Sequence, residues 1–288
     1  MLSSFRLRLL AASAVVAVAA AAPMKSAEAS IMLPMERDIV DLAFLLDESG
    51  SIGADNFENI ILPGLANAIQ DIVPQADAME GDDLFDEDFI FRVTVGSFSN
   101  DADLVVAPTI VDSMSIAGIV SSILGTEYDA GRTNLAEGIA LIEDELDDFE
   151  GTDEEARFGT LNVSTDGRPN EPGGTFPAGE AAALDARDDL FANTSISSVS
   201  AEAIGTSSLN FLEDLTGATC CAPPFPGNIF AEGFILQIED LEDYEETIAQ
   251  KVEIVVNGDM PEPATLALVG AGLAGIGLAV RRRRRAAA

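Results

Sequence analysis

The ten residues "FLLDESGSIG", 44–53, decide how this chain reads. They close the apolar run "IVDLAFLL" (39–46), the kind of segment that forms a central parallel strand covered on both faces. The run ends by presenting an acid and two hydroxyls, Asp47, Ser49 and Ser51, at positions i, i+2 and i+4. Neither the acid nor the hydroxyls help a buried strand, so their chemistry has to be sought at the strand's end.

Working outward, strand and helix signals alternate. A helix follows, with Asp55 and Glu58 spaced as a capping box and Phe57, Ile61, Leu65, Ala68 and Ile72 at helical spacing. Pro63 inside that pattern predicts a kink. The segments "FIFRVTVGSFS" (89–99) and "ADLVVAPTIV" (102–111) read as a strand pair in a hairpin. A helix from Ser115 to Leu124, the loop "GTEYDAGRT" and a helix carrying Leu135, Ile139, Ile142 and Leu146 come next. Then "FGTLNVSTDG" (158–167) reads as a strand, 178–191 as a helix, and "ISSVSAEAIG" (196–205) as a strand. A short helix ended by Gly217, a last strand or broken pair in "NIFAEGFILQI" (228–238) and a closing helix over 241–256 complete the pattern. This alternation predicts an α/β fold: a doubly wound, mainly parallel sheet with helices on both faces.

In such a sheet the loops leaving the carboxyl ends of the strands share one edge, where ligands bind. Asp47, Ser49 and Ser51 follow the first strand, Thr133 precedes a helix, and Asp166 ends another strand. Two carboxylates and three hydroxyls form a set of hard oxygen donors suited to a cation such as Mg²⁺, with Mn²⁺ or Ca²⁺ as alternatives. The segment 37–257 resembles a von Willebrand factor type A domain, and these five residues match its metal-ion-dependent adhesion site in type and order. The resemblance implies that Ser49 and Ser51 bind the metal directly and Thr133 directly or through water. It implies water-mediated or anchoring roles for Asp47 and Asp166. Glu48 stands where the family usually has a small residue.

Both ends of the chain carry sorting signals. Residues 1–29 read as a signal peptide, with Arg6 and Arg8 before an Ala/Val core and "AEA" at 27–29. Near the other end, Pro261, Glu262 and Pro263 precede the 17 apolar or small residues 264–280 and five arginines, 281–285. That length is at the lower limit for a membrane span, and the arginine block favours a cytoplasmic end. Residues 261–288 resemble the PEP-CTERM sorting tail. The resemblance implies processing by an exosortase, transient inner-membrane association through 264–280, and delivery to the surface or extracellular matrix of a Gram-negative bacterium.

The two ends hold eight of the 15 basic residues and two of the 50 acidic ones, leaving seven basic against 48 acidic between them. A segment with net charge near −41 repels nucleic acid and anionic headgroups, which excludes nucleic-acid binding. The adjacent Cys220 and Cys221 are expected to pair outside the cytoplasm and clamp a Pro-rich loop. The acidic loop 78–88 lacks EF-hand spacing and reads as solvated.

Two functions fit. One is an exported binding module that holds a carboxylate-bearing protein or polysaccharide, an Asp, Glu or uronate ligand, through the metal. The other is an acidic, cation-collecting structural protein of the extracellular matrix or biofilm. Catalysis is not expected. The chain has no histidine, Ser49 stands where a phosphatase would carry its second acid, and no P-loop occurs.

Overall fold

The computed structural model describes residues 38–73, 89–147, 156–205, 209–219, 230 and 232–257. Both sorting segments, the acidic 78–88 loop and the Cys220–Cys221 pair lie outside these residues. Among the described residues no helix is long and apolar enough to cross a membrane.

Strand β1 is Asp38–Asp47, and every one of its residues from Ile39 onward is buried, as its apolar run predicts. Its flanking strands are β2, Phe89–Phe98, and β4, Ala156–Thr165, both parallel to it. Strand β3, Ala102–Ile110, returns antiparallel along β2 as the expected hairpin. Strands β5, Ile196–Ile204, and β6, Ile235–Ile238, continue the parallel set beyond β4. The sheet order is β3-β2-β1-β4-β5-β6. The chain therefore builds one half outward from β1, returns to the other side of β1 as β4, and builds the second half. The carboxyl ends of β1 and β4 form the switch point where a crevice opens in a doubly wound sheet.

Helices cover both faces. Helix α1 starts at Ala54–Asn56, widens into π turns over Phe57–Ile61 and continues as Leu62–Gln70. Together with α2, Ile116–Leu124, it covers one face. The closing helix α6, Tyr244–Asn257, preceded by a 3₁₀ turn at Leu241–Asp243, packs on the same face. Phe57, Ile61, Leu65, Ile69, Tyr244, Ile248 and Val252 carry that packing and are essentially inaccessible. The other face is covered by α3, Leu135–Asp147, α4, Phe176–Asn193, and α5, Leu209–Thr216. Leu135, Ile139, Ile142 and Leu146 of α3 are all buried there, the stripe that helical spacing predicts.

One local expectation needs correction. The α1 cap is Gly53, at φ 81 with no side-chain cap bond, and not Asp55, which lies inside the first turn. Only a residue without a Cβ adopts that backbone conformation cheaply, so glycine takes the position. Pro63 falls at the start of the Leu62–Gln70 stretch, just after the π turns. The wider π turn accommodates the proline ring's missing N–H and its clash with the preceding turn. At the far edge, the last strand or broken pair expected within 228–238 shows a strand at Ile235–Ile238 among the described residues. A Cβ on Gly233 would lie 2.1 Å from the Val199 carbonyl oxygen, so the chain makes a close backbone approach there instead of laddering.

Candidate metal centre

The site is assembled from backbone first. At the end of β1 the Glu48 N–H donates to the Phe98 carbonyl at 3.0 Å, and the Gly50 N–H donates to the Gly131 carbonyl at 3.0 Å. The loop before α3 is pinned in turn. Arg132 N–H donates to Asn100 Oδ1 at 3.0 Å and Asn134 N–H to the Ser99 carbonyl at 2.9 Å. Thr133 and Asn170 then lock this loop to the one after β4. Thr133 N–H donates to Asn170 Oδ1 at 3.2 Å, and Asn170 N–H returns to the Thr133 carbonyl at 3.0 Å. The loops after β1 and β4 and the α2–α3 loop thus share one hydrogen-bonded backbone frame.

On that frame four of the five predicted side chains form a continuous hydrogen-bonded chain. Asp47 Oδ1 accepts from the Ser49 N–H at 2.8 Å, and Ser49 Oγ lies 3.2 Å from Ser51 Oγ. Ser51 Oγ donates to Asp166 Oδ1 at 2.8 Å. Thr133 stands beside them: its Oγ1 is 3.7 Å from where a Cβ on Gly167 would sit, next to Asp166. Asp47 and Ser49 are buried, whereas Ser51 is exposed and Asp166 half-buried. The site accordingly opens on the Ser51–Asp166 side. Gly50 does not create this turn through left-handed backbone, since its φ lies outside that region and a Cβ there would meet only ordinary contact at 3.5 Å. Gly131 is the position that excludes a side chain, because a Cβ would lie 2.7 Å from Asn100 Nδ2.

Sequence reasoning missed several residues. Thr165, directly before Asp166, is buried and donates to Asp47 Oδ2 at 2.6 Å. Tyr128 donates to the Ser49 carbonyl at 3.1 Å and tilts its ring against Phe57, 5.8 Å between centroids. Glu48 turns inward, 1 % exposed, and accepts from the Asp129 N–H at 3.3 Å. Thr165 was visible as the hydroxyl preceding a strand-end acid. Tyr128 gave no local signal and Glu48 only an unusual residue type, because their partners lie about eighty positions away.

The electrostatics separate this cluster from the rest of the interior. Two other buried acids have buried cations. Asp41 is bound by Arg92 at 2.6 and 2.9 Å, and Glu202 is bound by Lys251 at 2.6 Å. Asp47 is just as buried and has only neutral donors, the hydroxyl and amide of Ser49 and the Thr165 hydroxyl, among the described residues. Burial therefore pushes its carboxyl up to about 6, against the pull of those three donors and with the Asp166 charge adding to the rise. Burial pushes Glu48 up to about 7, offset in part by the Asp129 N–H and the nearby Ser97 hydroxyl, while the charges of Asp103 and Asp129 raise it further. Asp166 is raised as well, mainly by burial, with the Ser51 hydroxyl opposing. A set of oxygen donors around buried carboxylate charge with no protein cation fits a hard divalent ion. Among the described residues no three acids converge, so hydroxyls would make up much of such a ligand set.

Residues 261–284 match the PEP-CTERM protein-sorting motif, which implies exosortase processing and export. No curated protein sequence matches the chain. Among solved structures, the pilus adhesin SpaC from Lactobacillus rhamnosus GG aligns with TM-score 0.53 and 12% identity, over 76% of this chain and 31% of that one. Proximal thread matrix protein 1 from the mussel byssus, with a zinc-occupied MIDAS motif, aligns with TM-score 0.50 and 19% identity, over 77% of this chain and 46% of that one. A von Willebrand factor type A protein from Catenulispora acidiphila gives TM-score 0.49 and 17% identity, over 75% of this chain and 42% of that one. The chain spans less than half the length of each, and at these identities the likeness is one of fold. The chain therefore joins a doubly wound α/β domain, with a von Willebrand factor type A domain among its structural neighbours, to a C-terminal PEP-CTERM protein-sorting motif.

Proposed function

We propose that this is an exported binding module that grips a carboxylate-bearing ligand through a divalent cation, Mg²⁺ by donor chemistry, held by Asp47, Ser49, Ser51, Thr133 and Asp166. The single observation that carries this reading is the buried Asp47 carboxylate with no cation beside it among the described residues, in a domain that pairs Asp41 and Glu202 with buried Arg92 and Lys251. A bound cation would supply the missing positive charge and, because its hydroxyl ligands are neutral, an open position that attracts an external carboxylate. The chain's own part is to hold the donors. Thr165 and the Ser49 amide fix the Asp47 carboxyl, Ser51 tethers Asp166, and the Thr133–Asn170 exchange keeps the loops in register. The zinc-occupied MIDAS motif of the mussel matrix protein supports the same reading by analogy of fold.

The sorting motif supports placement at the cell surface or in the extracellular matrix of a Gram-negative bacterium, after transient membrane insertion through 264–280. The site offers no histidine or lysine as a proton carrier, which supports binding and not catalysis. A second reading, a cation-collecting structural protein, draws on the 48 acids against seven bases in the central segment. Calorimetric titration of the purified chain with Mg²⁺, Mn²⁺ and Ca²⁺, beside S49A/S51A, tests the cation. A pull-down from the producing organism's matrix with and without chelator tests the ligand. A folded S49A/S51A protein that loses its partner supports the module, whereas undiminished capture by that variant favours the structural role.

A further inference from the structure

Of the seven basic residues in the central segment, the side chains of Arg92, Arg132, Arg168, Arg187 and Lys251 are described. Arg92 and Lys251 are consumed in buried ion pairs, with side-chain exposures of 2% and 3%. Arg187 is mostly covered and donates to the Asp214 and Leu215 carbonyls at the end of α5. The remaining two are Arg132, 58% exposed, and Arg168, 39% exposed. They occupy the two loops that carry the site: Arg132 directly precedes Thr133, and Arg168 follows Asp166 by two residues. The Thr133–Asn170 exchange locks these loops together, and both side chains reach the segment after β4, Arg132 at Glu171 and Arg168 at Glu180 and Phe176. In so acidic a domain, the two most exposed of the described cations sit on the two loops that carry Thr133 and Asp166.

Each guanidinium is oriented without being used up. Arg132 Nη1 donates to Glu171 Oε1, and Arg168 Nε donates to Glu180 Oε1 at 2.6 Å. A guanidinium carries five N–H donors in a planar fork. Nε and Nη2 of Arg132, and both Nη atoms of Arg168, have no partner among the described residues. Beside them, Phe176 is 46% exposed, with Arg168 Cζ 4.9 Å from its ring centroid. The rim therefore combines two outward forks with one apolar shelf.

We propose that Arg132 and Arg168 are specificity-determining residues that select a polyuronate chain. This rests on the metal-dependent reading above: one carboxylate meets the cation, and the carboxylates of neighbouring sugars meet the two arginines. A sugar ring's C–H face suits the Phe176 shelf, which favours a uronate polysaccharide over an acidic peptide. The two arginines soften the acidic domain's repulsion locally, although each is paired with a glutamate.

The test measures binding of galacturonate, tetragalacturonate, its methyl ester and tetra-aspartate to the purified full chain in Mg²⁺, beside R132Q, R168Q, the double variant and S49A/S51A. Tetragalacturonate is expected to bind at least about tenfold tighter than the monomer, with each arginine variant losing about three- to tenfold. The double variant falls to the monomer's level, monomer affinity is unchanged by either variant, and the ester does not bind. Unfolding midpoints should stay constant, because exposed ion pairs contribute little. Wild-type affinity of the double variant for the tetramer overturns the rim while S49A/S51A still reports on the metal. Tetra-aspartate binding as tightly as the tetramer overturns the choice of ligand. Tetramer binding that survives S49A/S51A and chelator but needs both arginines sinks the metal reading and leaves the rim standing.

Discussion

Replacing Asp47 with asparagine should stabilise the metal-free domain while destroying its response to cations. The carboxyl is buried among neutral donors and is pushed from 3.8 to about 6. Two units at about 1.4 kcal/mol each put the cost of its charge at about 3 kcal/mol at neutral pH. Below pH 3.8 the folded and unfolded chains both hold the proton, and nothing is lost. Between 3.8 and about 6 the unfolded chain releases it while the folded chain keeps it, so stability falls as pH rises through that window. Asparagine keeps an acceptor for the Ser49 amide, and the Thr165 hydroxyl can turn to accept from the carboxamide. Urea unfolding in chelator, followed by circular dichroism, should show D47N about 1–3 kcal/mol more stable at pH 7.5, with the advantage vanishing towards pH 4. Adding Mg²⁺ at a hundred times its dissociation constant should stabilise the wild type by about 2.7 kcal/mol and the variant far less. If D47N were the less stable protein in chelator at pH 7.5, or if the difference did not change with pH, the charge would already be satisfied and the reasoning would fail.

Lys251→Met should destabilise the domain by about 3–5 kcal/mol, because it strands the buried Glu202 carboxylate, and adding E202Q should restore most of that loss in urea unfolding. A single variant within 1 kcal/mol of wild type, on the order of surface effects, would refute the pairing's role. Thr165→Val removes the donor to Asp47 Oδ2 and should lower stability in chelator by about 1–3 kcal/mol without changing the urea m value. Gly131→Ala brings a Cβ within 2.9 Å of the Asn100 backbone nitrogen, so the loop must shift. Its Mg²⁺ affinity by calorimetry should fall along with about 1–3 kcal/mol of stability, and an unaltered affinity would show that the Gly131–Gly50 bond does not hold the site.

The sequence by itself determined the alternation of elements, the buried run of β1 and the helical stripes, because each depends on the spacing of apolar residues along a few turns of chain. It also singled out Asp47, Ser49, Ser51, Thr133 and Asp166 as candidates, since hydroxyls and acids at strand ends contradict the burial around them. Four of these meet in one hydrogen-bonded chain, with Thr133 alongside. Local pattern failed at the α1 cap, where Gly53's backbone conformation outweighed a plausible Asp55 side chain. Only the tertiary structure decided which acids lack a counter-charge. Asp41, Asp47 and Glu202 are alike as acids in apolar runs, and their difference arises from Arg92 and Lys251 arriving 51 and 49 positions away at two of them while no basic residue among those described reaches the third. Solvation and pairing are properties of the packed neighbourhood, so the absence of a cation beside Asp47, and the gathering of Arg132 and Arg168 at the rim, emerge only once the loops are folded onto one edge.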